Sequence, residues 1–180
     1  MGGELYHPSR VAMSVYSPLF ISLVAAFIIF PAITESACIP ENRFIDNHNA
    51  TVTDIDSGLI WMRCSLGQTW HHPRCNGIAV SLTWNAAYDV AKKLNKKAYG
   101  HVTDWRVPTL RELATLIERQ CPQPRINSAL FPDTPAARFW SATSKRDTID
   151  QAYFLSFGRE GVGASVKNTP HFVRLVSGRN

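Results

Sequence analysis

The stretch 100-GHVTDWRVPTLREL-113 decides how the chain is read. Thr109 and Glu112 form T-x-x-E, the spacing of a capping box. The threonine hydroxyl accepts from a first-turn backbone N–H, and the glutamate carboxylate reaches back to the cap's own N–H. Pro108 holds the chain extended on entry and disfavours helical dihedrals at Val107. Leu110, Leu113, Ala114, Leu116 and Ile117 then recur at helical spacing, and Cys121-Pro122 marks the end. Ahead of this helix, Trp105 reads as core with one partner for its N–H. Arg106, between Trp105 and Val107, reads as partly buried and paired with a carboxylate such as Asp104 or Glu112.

Upstream lies a first helix, residues 83–98. Thr83 can cap it, and Trp84, Ala87, Tyr88, Ala91 and Leu94 make one apolar face. Lys92, Lys93, Lys96 and Lys97 crowd its last turns, where cations suit the negative end of the helix dipole, and Gly100 is expected to stop it. Further upstream, TVTDIDSGLIWMRC (51–64) reads as two strands around a turn made by Asp54, Asp56, Ser57 and Gly58. SLGQTWHHPR, between Cys64 and Cys75, reads as a loop. Downstream, FWSATS (139–144), AYFLSFG (152–158), GVGASVK (161–167) and HFVRLVS (171–177) read as strands. INSALFPDTP (126–135) reads as a loop packed by Leu130 and Phe131. Strands, two helices, then strands predict an α+β fold with two helices packed on antiparallel β-strands. No repeat or long linker interrupts it, so a single domain is expected.

The amino terminus has a different character. Arg10 precedes LFISLVAAFIIF (19–30), an uncharged run of 12 residues. That is short of the roughly 20 residues a membrane span needs, and it fits the apolar region of a secretory signal. The signal peptide is placed at 1–37, with the cut near Ala37, leaving residues 38–180 as one mature domain. Export to the periplasm, the cell surface or the medium is expected, with no transmembrane span after removal. All four cysteines then lie in the mature chain, and an even count in an exported protein implies two disulfides. Of three pairings, Cys64–Cys75 closes a local loop, and Cys38–Cys121 would tie the amino terminus to the end of the second helix. Loss of 1–37 removes Arg10, Glu4 and Glu35 and takes the formal net charge from +5 to +6. A basic surface favours anionic partners.

Taken in order, TVTDIDSGLIWMRC, GQTW, Cys75, TWNAAYDVA, DWRVPTLREL, INSALFPDTP, FWSATS and VRLV resemble the Lcl (Legionella collagen-like adhesin) C-terminal domain family. The likeness runs from about Arg43 to Ser177. The family's W-R-L-P appears here as Trp105-Arg106-Val107-Pro108. Similarity to this family implies a C-type-lectin-like fold, with Trp105, Arg106, Pro108, Thr109, Glu112, Trp140 and Arg174 in structural roles. It also implies adhesin-like binding of sulfated glycans and a homotrimer. The chain has no Gly-X-Y stalk to drive trimer formation.

The residues give little for catalysis. G-x-S-x-G, H-E-x-x-H, the phosphate loop and the dinucleotide fingerprint do not occur. His71-His72 point to opposite sides of an extended segment, without a third ligand at metal spacing. No enzyme activity, cofactor or metal is therefore expected, and no nucleic-acid module is recognised. The candidate ligand-binding residues are Lys92, Lys93, Lys96 and Lys97, then Lys145, Arg146, Arg159 and Lys167. Their cations suit the sulfates or carboxylates of an anionic glycan. The alternative partner is an envelope protein, for which the chain would be an accessory or assembly subunit.

Overall fold

Turn chemistry at Asp54 to Gly58 reverses the chain, with Gly58 at φ +69° and its N–H bonded to the Asp54 carbonyl at 2.8 Å. A computed structural model describes residues 1–3 and 43–178. Within it, β1 (Phe44–Asp46), β2 (Thr51–Asp54) and β3 (Leu59–Met62) form an antiparallel meander. A small hairpin, β4 (Thr69–His71) with β5 (Arg74–Asn76), follows. Then come α1 (Trp84–Lys96), a 3-10 turn at Tyr99–His101, and α2 (Leu110–Ala114). Strands β6 (Arg138–Ser144), β7 (Gln151–Ser156) and β8 (Val162–Val166) make a second antiparallel sheet. The last strand, β9 (Val176–Ser177), returns to pair with β3. These elements belong to one unit, Glu35–Asn180. Residues 1–3 lie in a separate unit and have no regular secondary structure.

The period-2 alternation of the strands divides the apolar residues between two cores. Ile60 and Met62 of β3 face one core, and Leu59 and Trp61 face the other. Likewise Trp140 and Phe154 go to the first core, and Phe139 and Leu155 to the second. Helix α1 covers the first core with Ala87 and Ala91. Helix α2 covers the second with Leu113, helped by Leu116 just beyond it. The loop 126–135 packs as read, with Phe131 fully buried.

Four local expectations need correction. Helix α2 is one short piece, because the bonds after Ala114 tighten to i→i−3 at Leu116 and Ile117 and the Glu118 N–H turns to the Arg125 carbonyl. Helix α1 stops before Gly100: Lys97 caps it and Ala98 takes the left-handed conformation. The presumed loop between Cys64 and Cys75 contains the β4–β5 hairpin, held by the Cys64–Cys75 disulfide and by the Asp133 carboxylate on the Cys75 N–H. Of 171–177, only the end is a strand. The rest makes single bridges, Leu82 with His171 and Phe139 with Phe172. The described residues hold no free cysteine. The expected Cys38–Cys121 bond and the signal segment depend on residues outside the described ones.

The opening motif holds as read. Thr109 Oγ1 accepts from the Glu112 N–H, and Glu112 Oε2 accepts from the Thr109 N–H at 2.7 Å. Arg106 completes it, donating to Glu112 Oε2 at 2.9 Å and Oε1 at 2.6 Å, and to the Gly178 carbonyl. Asp104 instead accepts from the Ser177 hydroxyl and the Gly178 N–H. Trp105 donates its indole N–H to the Tyr99 carbonyl at 2.8 Å.

Removing Glu112 takes away a cap and a charge-assisted pair together. Glu112→Ala is expected to cost about 3 kcal/mol, and Thr109→Ala about 1 kcal/mol, by urea unfolding. Equal small losses would show the pair to be incidental. Burial alone would raise the Glu112 pKa, but the bonds from Arg106 and Thr109 outweigh it and leave it lowered. A lowered carboxylate stabilises the fold fully above the ordinary value near 4.5, and the gain is lost as pH falls through the folded value. Glu112→Gln should therefore flatten the acid limb of the stability curve. Replacing Cys64 and Cys75 by alanine opens a separation of 11 residues. Loop entropy puts that loss at about 3 kcal/mol in the same assay.

Candidate functional site

Two indole N–H groups fix the approach of α1 to the second sheet. Trp140 donates to the Leu82 carbonyl at 2.9 Å, and Trp84 to the Ser141 carbonyl at 2.8 Å. The Trp84 backbone N–H also bonds the Lys167 carbonyl, tying the start of α1 to the end of β8. Trp84, Tyr88 and Lys92 then succeed one another at four-residue spacing, so they share one stripe of the helix surface, which Lys96 extends.

This stripe forms an open cleft of about 400 Å³, lined by Trp84, Asn85, Tyr88, Asp89 and Lys92. The Trp84 and Tyr88 rings meet edge-on at 4.6 Å. Lys167 Nζ lies 4.3 Å from the Trp84 ring centroid and donates to the Ile149 carbonyl. Burial pushes the Tyr88 hydroxyl up to about 12, so it remains a neutral phenol at neutral pH. Lys92 stands 3.8 Å from Asp89, a loose pair with both side chains well exposed, which holds little energy. An aromatic floor between ammonium groups can stack the apolar face of a sugar ring while the cations meet its anionic substituents.

The eight expected ligand residues do not form one patch. Lys92, Lys93, Lys96 and Lys97 are exposed along the end of α1. Lys145 sits at the β6–β7 turn near Gln151, Arg146 follows it in that turn, and Lys167 overlies Trp84. Arg159 lies elsewhere. The β7–β8 register runs from Gln151 opposite Val166 to Leu155 opposite Val162, which places Arg159 beyond the other end of the sheet. Trp84 and Tyr88 were read only as part of a core face. Their partial exposure comes from the position of α1 relative to the sheet, which spacing does not reveal.

Trp140 is fully buried, and Pro108 accepts from the Ala142 N–H at 2.7 Å. Arg174 is fully buried, with no carboxylate paired to it among the described residues. It donates to the Met62 and Arg63 carbonyls and to Thr134 Oγ1, and lies over the Phe131 ring. Burial, and then the neighbouring Arg63 charge, push its pKa down to about 9, so it stays protonated at neutral pH. Arg63, in the stretch 51–64 that reads from sequence only as two strands around a turn, is a second buried guanidinium. It bonds Asp46 and the Asn49, Thr51 and Leu130 carbonyls.

Among the described residues, no group of three or more His, Cys, Asp or Glu is placed to hold a metal ion. His71 and His72 are exposed on the β4–β5 hairpin, with His72 edge-on to Trp70 at 5.7 Å. No helix among the described residues is long and apolar enough to cross a membrane. A comparison with curated proteins gives no match. A family model, the Lcl C-terminal domain, matches residues 50–177 and so takes in β2 through β9, both helices and the α1 cleft. On that match the chain belongs to the Lcl C-terminal domain family.

Proposed function

We propose that this protein is an exported, non-catalytic binding module with a C-type-lectin-like fold, which recognises anionic glycans in the manner of an adhesin. The observation that carries this reading is the α1 cleft. Trp84 and Tyr88 offer aromatic surface for stacking, Lys92 lines the cleft beside them, and Lys167 lies over the Trp84 ring. Lys93, Lys96 and Lys97 extend the positive field along the helix. Family membership supports a binding role over a chemical one. Sulfates and carboxylates would be held by ammonium groups at an exposed surface, so the attraction is one that salt screens.

A second reading, a protein-binding accessory or assembly subunit of an envelope structure, draws support from β8. It is an edge strand of its sheet, and Val162 and Val166 expose 55% and 42% of their surface. Such an edge can accept another strand, including one from a second or third copy of the chain.

Retention on immobilised heparin separates the two. The full chain is expected to bind at low salt and elute as NaCl rises. The quadruple variant K92A/K93A/K96A/K97A is expected to elute markedly earlier with an unchanged thermal melt. A wild-type protein that passes straight through, or a co-purifying protein lost on breaking the β8 edge, would favour the assembly reading.

A further inference from the structure

Three arginines near the far end of the second sheet are not used by the fold. Among the described residues, the side chains of Arg119, Arg125 and Arg159 make no hydrogen bond, ion pair or ring contact. By contrast, Arg43, Arg63, Arg74, Arg106, Arg138 and Arg174 all donate to protein acceptors. Glu160, next to Arg159 in the chain, is engaged elsewhere. Glu160 receives both bonds of Arg138, at 2.7 and 2.8 Å. Glu118 feels Arg43 as the cation that lowers its pKa, against a larger burial effect that raises it.

The three lie along linked clefts. Arg119 and Arg125 line one of about 520 Å³, with Ile117 and Leu155 among its walls. Arg125 and Arg159 line a second of about 590 Å³, next to Cys121 and Gln123. Arg159 also lines a third of about 470 Å³, against His171 and the Arg138–Glu160 pair. Arg125 and Arg159 thus stand at the two junctions of one groove. The Arg125 backbone is fixed on both sides: its N–H bonds the Phe157 carbonyl at 2.8 Å, and its carbonyl accepts from Glu118 at 3.0 Å.

We infer that this groove is a second anion-binding site, which takes a linear polymer bearing sulfate or carboxylate groups. Guanidinium presents a planar fork of donors that matches an oxyanion in two bonds. Three guanidiniums without a protein acceptor leave their forks to water, and an anionic strand can meet them along the groove. Charges spaced along a groove suit a chain of anions better than a lone ion. This rests on the anionic-glycan reading and adds to it a site remote from α1, built of arginines rather than lysines.

The test is heparin affinity of the full chain, carrying R119A/R125A/R159A, the same three as lysine, or the α1 quadruple. Since these side chains bond nothing among the described residues and alanine keeps the Arg125 backbone bonds, the melts should match wild type. Affinity is expected to fall at least about tenfold for the alanine triple, with partial recovery for the lysine triple because charge returns without the fork. An alanine triple that elutes with wild type overturns the second site and leaves the α1 reading standing. An α1 quadruple that elutes with wild type, while the alanine triple fails, overturns the α1 placement alone. Wild-type flow-through overturns both. If an oligothymidylate competes with heparin as well as free heparin does, and the alanine triple loses both, the groove reads phosphate strands and the glycan assignment is wrong.

Discussion

Arg106 holds together three parts of the chain that are far apart in sequence. Its backbone bridges Val176 in both directions, at 2.9 and 3.0 Å. Its side chain reaches the Glu112 carboxylate and the Gly178 carbonyl. Glu112 is at the same time the closing half of the α2 cap. The start of α2, the return of the chain to β9, and the residues after β9 are therefore fixed by one guanidinium and its carboxylate. Lysine could not replace it, since a single ammonium cannot bond a carboxylate through two parallel donors while also meeting a carbonyl in the same plane. The pair is partly buried, at 29% and 9% side-chain exposure, so water screens it less than a surface ion pair.

The same chemistry explains why net charge is a poor guide to the surface. Arg63 and Arg174 are fully buried, and they face each other's charge closely enough that Arg63 lowers the Arg174 pKa. Two like charges in a core cost energy, and backbone carbonyls offset it. Met62, Arg63, Asn49, Thr51 and Leu130 all present oxygens there, where strands end and loops begin. Without donors those carbonyls would themselves be buried and unpaired. The aromatic faces of Trp70 and Phe131 close over the two guanidiniums. Two of the 19 lysines and arginines are therefore held inside the fold. Among the cations that remain outside are the lysines along α1 and Arg119, Arg125 and Arg159 at the clefts beyond the second sheet.

Local chemistry was the most legible part of the sequence. The Thr109–Glu112 box, the Thr83 cap, the Asp54–Gly58 turn and the Cys64–Cys75 bridge all follow from residues within a few positions of one another, or from a closed short loop. Helix and strand ends were less legible. Ala98, and not Gly100, first turns left-handed, because the α1 end is set by where the chain must enter the Tyr99–His101 turn. The β4–β5 hairpin escaped notice because its register is fixed by Asp133, 58 residues away. The candidate site was half legible. The lysines announce themselves by clustering, but an aromatic helix face looks the same whether it is fully or partly covered. Arg119 and Arg125 carry no local signal, and only the folded position of the loop they occupy puts Arg125 in one cleft with Arg119 and in another with Arg159.

The division of the strands between two cores also governs how the two cationic regions could act together. β6 and β7 send alternate residues to opposite cores, so these two strands of the second sheet are packed on both faces, while β8 lies at the exposed edge. Lys145 and Lys167 sit at one end of this sheet and Arg159 at the other, separated by the six residues of β7, about 17 Å of strand. Rigid separation matters for a polymer ligand. Once one end is engaged, the other presents its cations at a fixed distance, and the second contact forms at high effective concentration with little further ordering cost. A flexible link would lose part of that gain. A short anion could use only one end at a time, and its affinity would reflect one set of cations. On the reading proposed for this chain, discrimination between polymers and small anions thus arises from the spacing of cations along the doubly packed β6–β7 pair rather than from any single contact.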